Sequence, residues 1–268
     1  MQEDYFDFTG KLFSPAETAK KPEALKGIRV LDLSHMIFGP TAAKCLGLYG
    51  AEVIKVEVPY QGDYWRGGTY WGKFWKHSNP LWHYINNNKY FLAIDVKLPK
   101  GKELILKLAE KADVVIENFT SGTVEAWGIG YSQVSKINPR VIYAGLSTYG
   151  QYGPFRYFPG WDLLAQGASG VLSVTGHPQT DKYFKIPDFF GDFFPGYFAA
   201  MLILMALNRY RNEEQPAELS GGWLRAAKLV EQSVATIKAY QQPDGAFSSS
   251  YFQRPSSTAD VALRLYDA

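Results

Sequence analysis

The side chains that could perform chemistry in this chain are few and mostly ungrouped. His35, His77, His83 and His177 lack metal-ligand spacing, and Cys45 is the single cysteine, so neither a metal site nor a disulfide framework is expected. Asp162, in Gly160-Trp161-Asp162, opens a helical pattern, where a carboxylate caps free N–H groups and suits the helix dipole. Asp181 closes the run Thr175-Gly176-His177-Pro178-Gln179-Thr180-Asp181, in a stretch read as loop over residues 171–195, where turns favour aspartate. Gly39-Pro40 begins another helix whose first backbone amides could help bind a phosphate. Lys97, just after a strand, is either a phosphate partner or a solvated cation. Trp65, Trp71, Trp75 and Trp82 either line a pocket or pack a protruding segment, with packing favoured. There is no Walker loop and no GxGxxG fingerprint, which excludes ATP and NAD.

These residues hang on an alternating pattern. Residues 27–34 (GIRVLDLS) and 52–57 (EVIKVE) are short apolar runs rich in β-branched residues, joined by a helix of the length a right-handed, parallel βαβ unit needs. FLAIDV, DVVIENF and RVIYAGLS supply three more strands, with an amphipathic helix in KGKELILKLAEKA. The alternation predicts an α/β fold, a Rossmann-like parallel sheet flanked by helices. Residues 58–90 show no periodicity but hold ten aromatic residues, which argues for an ordered, functional segment. Helices are expected over residues 161–170 and 196–211.

With 268 residues, 46% of them hydrophobic, the chain can bury a sizeable core. A net charge of +2 gives no reason to expect a nucleic-acid or membrane surface. The first twenty residues lack the apolar core of a signal peptide, and the apolar run at 197–207 is shorter than the ~20 residues that cross a bilayer. A reducing, cytoplasmic setting is the expectation.

Several segments in series carry a resemblance. GIRVLDLSHMIFGP, LGLYGAEVIKVE, GDYWR, NNNKYFLAIDVKLPKGKELILKLAEKADVVIENF, INPRVIYAGLSTYGQYGP and GWDLLAQGASGVLSVTG resemble, in order and spacing, the type III CoA-transferases, the family of formyl-CoA transferase and carnitine CoA-transferase. The resemblance implies an enzyme that moves coenzyme A from an acyl-CoA to a carboxylic acid through an aspartyl-CoA thioester, in a dry pocket. It implies acyl-CoA and carboxylate substrates, no tightly bound cofactor, and a homodimer. The aspartate following the family's TG pair falls on Asp181 once two extra residues are allowed, since Gln179 cannot act as nucleophile; Asp162 is second choice. The CoA contacts fall on Ile37 and Phe38, on Ile94, Asp95, Val96 and Lys97, and on Asn118, Phe119 and Thr120. Two basic residues of some members are missing, at Val58 and Ala126, and Lys55, Arg66 or Lys89 could replace them. Related α-methylacyl-CoA racemases place a histidine at Trp161 and pair it with the aspartate at Asp192; indole is no base, which disfavours racemization. A CoA-ester isomerase and an inactive CoA-binding or scaffold protein remain the alternatives.

The domain reading is a leader at 1–24, an incomplete large domain at 25–211, and a helical tail at 212–268 whose origin the sequence leaves open. In the tail, residues 222–240 read as one amphipathic helix.

Overall fold

Val, Ile and Leu fill the predicted strands without polar alternation, the pattern of a sheet covered on both faces. The computed structural model describes residues 23–68, 72–74, 78–177 and 182–212, with Asp4, Asp7, Gly10, Lys11 and Ser14. Asp181, Gln179, Trp71, Trp75, His77 and the tail helix lie outside the described residues.

Five strands form one sheet: β1 (Arg29–Asp32), β2 (Glu52–Glu57), β3 (Lys89–Ala93), β4 (Val114–Glu117) and β5 (Ile142–Gly145). Their order is β3-β2-β1-β4-β5, and every neighbouring pair is parallel. Leu31 pairs with Ile54 on one side and Val115 on the other. Because the sheet is parallel, every strand-to-helix loop leaves from the same edge. The order reverses between β1 and β4, and in open α/β sheets a crevice for ligands forms at such a switch.

Helices cover both faces. α1 (Phe38–Leu48) and the long α9 (Phe190–Asn212) close one face over Val30, Val53, Val114 and Ile116. α4 (Pro99–Glu110), α5 (Thr123–Trp127) and α6 (Tyr131–Ile137) close the other over Leu31, Val56 and Val115. α2 (Tyr64–Gly67) and α3 (Pro80–Ile85) lie within the aromatic segment, and α7 (Asp162–Ala168) and α8 (Val171–Val174) precede α9.

Three expectations change. Residues 171–174, read as the start of a loop, form the single turn α8. Residues 58–90 hold two short helices, capped by Asp63 through Trp65 N and by Asn79 through Leu81 N. α9 begins at Phe190 rather than at residue 196, with Pro195 inside it. Residues 190–195 thus leave the predicted loop, and Asp188 and Phe189, both left-handed at φ 61° and 56°, turn the chain into the helix. Over Phe190–Tyr210 this helix is long and apolar enough to cross a membrane by length and composition, at mean hydropathy 1.6. It also belongs to the core, since Ala199, Ala200, Ile203 and Leu207 are buried against α1 and the sheet.

Candidate active site

The turn from β1 into α1 is built on buried charge. Asp32 and Lys89, both fully buried as side chains, pair at 2.9 Å, and Lys89 also donates to the Pro40 carbonyl and to Asn86. Lys55 and Asp63 pair at 3.1 Å with side chains 0% and 1% exposed. Burial alone would raise the Asp32 carboxyl, but Lys89, Lys55 and the Ser34 hydroxyl overcome that and hold it below the usual range. Across the switch point, Asn118 at the end of β4 accepts from His35 N and donates to the His35 carbonyl, both at 2.8 Å. One amide therefore clamps the β1 and β4 loops together.

A second group of carboxylates stands where α7 meets α9. The sequence predicts that Asp162 caps its own helix; the structure corrects this, since the cap of α7 is Trp161 without a side-chain bond. Asp162 Oδ1 instead accepts from Gly191 N at 2.7 Å and from Gln166 Nε2 at 2.8 Å, while Lys185 stands 3.3 Å from Oδ2. The buried carboxylate thus anchors the first turn of α9. Asp192, the third residue of that helix, is made a weaker acid, its pKa pushed up to about 7 by burial and by the negative charge of Asp162, with Lys185 opposing. One turn on, Gly196 lies so close to α1 that a Cβ there would be 2.8 Å from the Phe38 carbonyl. The first turns of α9 therefore abut the start of α1.

A third carboxyl closes β4. Glu117 Oε2 accepts from Phe119 N at 2.9 Å, and burial pushes its pKa up to about 7. Gly145 makes room for it, since a Cβ there would be 2.8 Å from Glu117 Oε1.

The predicted contact residues gather at this one edge of the sheet, in two groups. Ile94, Val96 and Phe119 pack on the core beneath α4, while Ile37 is buried, and Phe38 packs beneath α1. Asp95 accepts from Lys97 N at 2.9 Å, and Lys97 is exposed at the rim beside Leu98. Thr120 follows on the same loop as Asn118, whose amide is occupied by His35. The proposed stand-in cations are engaged elsewhere: Lys55 and Lys89 in the buried pairs, and Arg66 with Glu57 at 2.8 Å and over the Trp82 ring at 3.6 Å. Trp82 is buried, and Trp65 meets Phe189 edge-on at 5.5 Å, so both pack the segment. An open cavity of about 670 Å³ lies between this segment and α9, lined by Lys73, Leu81, Tyr84, Phe189, Phe193 and Tyr197 among others. Among the described residues no three His, Cys, Asp or Glu stand together as a metal cage.

Sequence reasoning met Asp192 as the position matching the racemases' aspartate and as part of the Gly191-Asp192 pair, not as a nucleophile. The Gly191-Asp192 pair was the available signal, but the burial that alters its acidity comes from α7, whose approach no local pattern reveals.

The family model described as CoA-transferase family III matches residues 25–258. An acyl-CoA transferase of Fusarium pseudograminearum is 44% identical over 159 residues, covering 57% of this chain and 35% of that protein. Succinyl-CoA–D-citramalate CoA-transferase of Chloroflexus aurantiacus is 34% identical over 83% of this chain and 54% of its own length. Succinyl-CoA:glutarate CoA-transferase of Mus musculus is 36% identical over 76% of this chain and 46% of its own. A crystal structure of a CAIB/BAIF family protein from Brucella suis superimposes with a TM-score of 0.66 at 33% identity, covering 72% of this chain and 51% of that one. The chain spans about half the length of most of the curated relatives it matches.

Proposed function

This chain belongs to CoA-transferase family III, and on that premise we propose that it carries the sheet that binds coenzyme A and the reacting carboxylate of an acyl-CoA:carboxylate CoA-transferase. The carboxylate attacks the thioester carbonyl, giving a mixed anhydride and the CoA thiolate. The thiolate attacks the aspartyl carbonyl, leaving an aspartyl-CoA thioester and the free donor acid. The acceptor carboxylate then reverses both steps and restores the aspartate.

The sequence assigns the nucleophile to Asp181, outside the described residues; the described geometry favours Asp192. The observation that carries this is the packing of α9 on α1. It brings the partly buried Asp192 carboxyl within a helical turn of Gly196, which abuts the Phe38 carbonyl, at the edge where the expected CoA contacts collect. The largely apolar, aromatic lining of the cavity beside Phe193 suits the carbon chain of an acyl group. Relatives named for succinyl-CoA make that thioester the first donor to try. The proposal includes a homodimer in the cytoplasm, for which the single cysteine argues only the reducing setting.

Intact-mass measurement after mixing with succinyl-CoA tests the reading, with a covalent CoA adduct expected. D192N should abolish the adduct and D181N should keep it. The reverse pattern returns the role to Asp181, and an adduct in neither wild type nor variants rejects the covalent reaction. Trp161, more than half exposed, supports no two-base chemistry. No enzyme-dependent deuterium wash-in at the α-carbon is therefore expected.

A further inference from the structure

The β1–α1 turn is held almost entirely by side chains from elsewhere. Asp32 Oδ1 accepts from Ser34 N at 3.0 Å, Lys55 Nζ donates to the Ser34 carbonyl at 2.6 Å, and Asn118 takes both backbone groups of His35. Asp63 Oδ1 accepts from Met36 N at 3.1 Å. Met36 lies at φ 66°, a left-handed conformation that a side chain of its kind seldom adopts, so its surroundings impose the shape.

Asp63 differs from the other holders because it comes from the aromatic segment, not from a strand or its end. The same Oδ1 accepts from Trp65 N at 2.9 Å and so starts α2, while Oδ2 faces Lys55 in a pair closed to solvent. From α2 the connection continues, since the Arg66 carbonyl accepts from Asn79 N at 3.1 Å. Asn79 in turn caps α3, which carries the cavity residues Leu81 and Tyr84. A buried ion pair seldom repays its own desolvation in stability, which makes a positional role for this one reasonable physically.

We propose that Asp63 is a positioning residue whose single carboxylate sets the β1–α1 turn and the wall of the aromatic cavity together, so that the place for coenzyme A and the place for the acyl group are fixed by one side chain. The part concerning coenzyme A rests on the function proposed above; the mechanical coupling does not.

Hydrogen exchange of the whole chain, compared with binding of free coenzyme A by calorimetry, separates the two. In D63A, exchange should rise about tenfold or more in residues 34–41, 64–67 and 79–85 together, while β4 stays as in wild type. Coenzyme A should bind about tenfold or more weakly. D63N keeps an oxygen acceptor for Met36 and Trp65 but sets an amide N–H against Lys55, so the acceptor is tested in K55M/D63N, which should stay within about threefold of K55M in both readouts. If stranding Lys55 prevents D63A from folding, K55M/D63A removes both charges and carries the same test when compared with K55M alone, because Lys55 also holds the Ser34 carbonyl. Wild-type protection of residues 34–41 in the variant lacking Asp63 overturns the coupling. Undiminished coenzyme A binding in that variant overturns the positioning role. Wild type that binds no coenzyme A overturns the function instead, and the exchange result still decides the coupling.

Discussion

Two carboxyls, Asp192 and Glu117, are pushed up to about 7, each chiefly by burial, and they govern different things. As the proposed nucleophile, Asp192 reacts only when ionised, so kcat/KM for the acyl-CoA should rise with pH through about 7 and then level. Asp162→Asn removes the like charge beside it while keeping an acceptor for Gly191 N, and should move that midpoint to lower pH. An unmoved midpoint in D162N would assign the titration to another group. Glu117 acts on stability. Its folded-state pKa lies above its unfolded value, so the native protein holds a proton that the unfolded chain releases first. Stability should therefore fall as pH rises from about 4.5 to about 7 and then flatten. Glu117→Gln keeps a bond to Phe119 N and should remove on the order of 2–3 kcal/mol of that fall, read from urea midpoints at pH 5 and 7.5. At this scale the sequence was legible in part. It singled out Asp162 and the Asn118–Phe119–Thr120 loop, but it could not show that Asp162 serves another helix or that His35 occupies Asn118. Both facts depend on contacts between residues far apart in the chain.

The secondary structure was more readable, because strand and helix periodicities are local. Four strands lie within predicted runs, β3 starts two residues before its run at Lys89, α4 starts one residue before its predicted helix, and α7 lies within its own. α9 was misplaced at its start because Pro195-Gly196 reads as a helix beginning, whereas the actual start is set by Asp162 at Gly191 N and the left-handed pair before it. α2 and α3 were missed because each is a single turn or little more, too short for periodicity, and exists through its cap. The contact of α9 with α1 gives a sharp prediction. Gly196→Ala would set a Cβ 2.8 Å from the Phe38 carbonyl and 2.9 Å from Thr41 Cβ, neither of which is a flexible side-chain end. The helices must separate, at a cost of about 1–3 kcal/mol, seen as a lowered Tm. If Asp192 is the nucleophile, adduct formation should fall as well. An unchanged Tm would mean that α9 packs less closely than described.

At the scale of the molecule, the outer side of α9 is apolar. Phe194, Phe198, Met201 and Met205 repeat at helical spacing and each is about half exposed, opposite the buried Ala199–Ile203 side. An apolar stripe of this size favours self-association in a chain of this span. M201K/M205K should shift its elution toward the monomer, with stability changed by only about 0.5 kcal/mol per site. No shift would mean that this stripe does not mediate association. The strand order carries a consequence for how the fold is reached. β1 sits at the centre: β2 follows after one helix, and Arg29 meets Asp113, 84 residues away, only when β4 arrives on the other flank. Closing the short βα crossover comes first, since a longer loop costs more entropy to close. β1, β2 and β3 should therefore assemble as an early half-sheet, with Asp32–Lys89 and Lys55–Asp63 joining it internally. β4 then docks as the slow step, sealing those charges from water, and only that late event brings Asn118 onto His35 and completes the ligand edge.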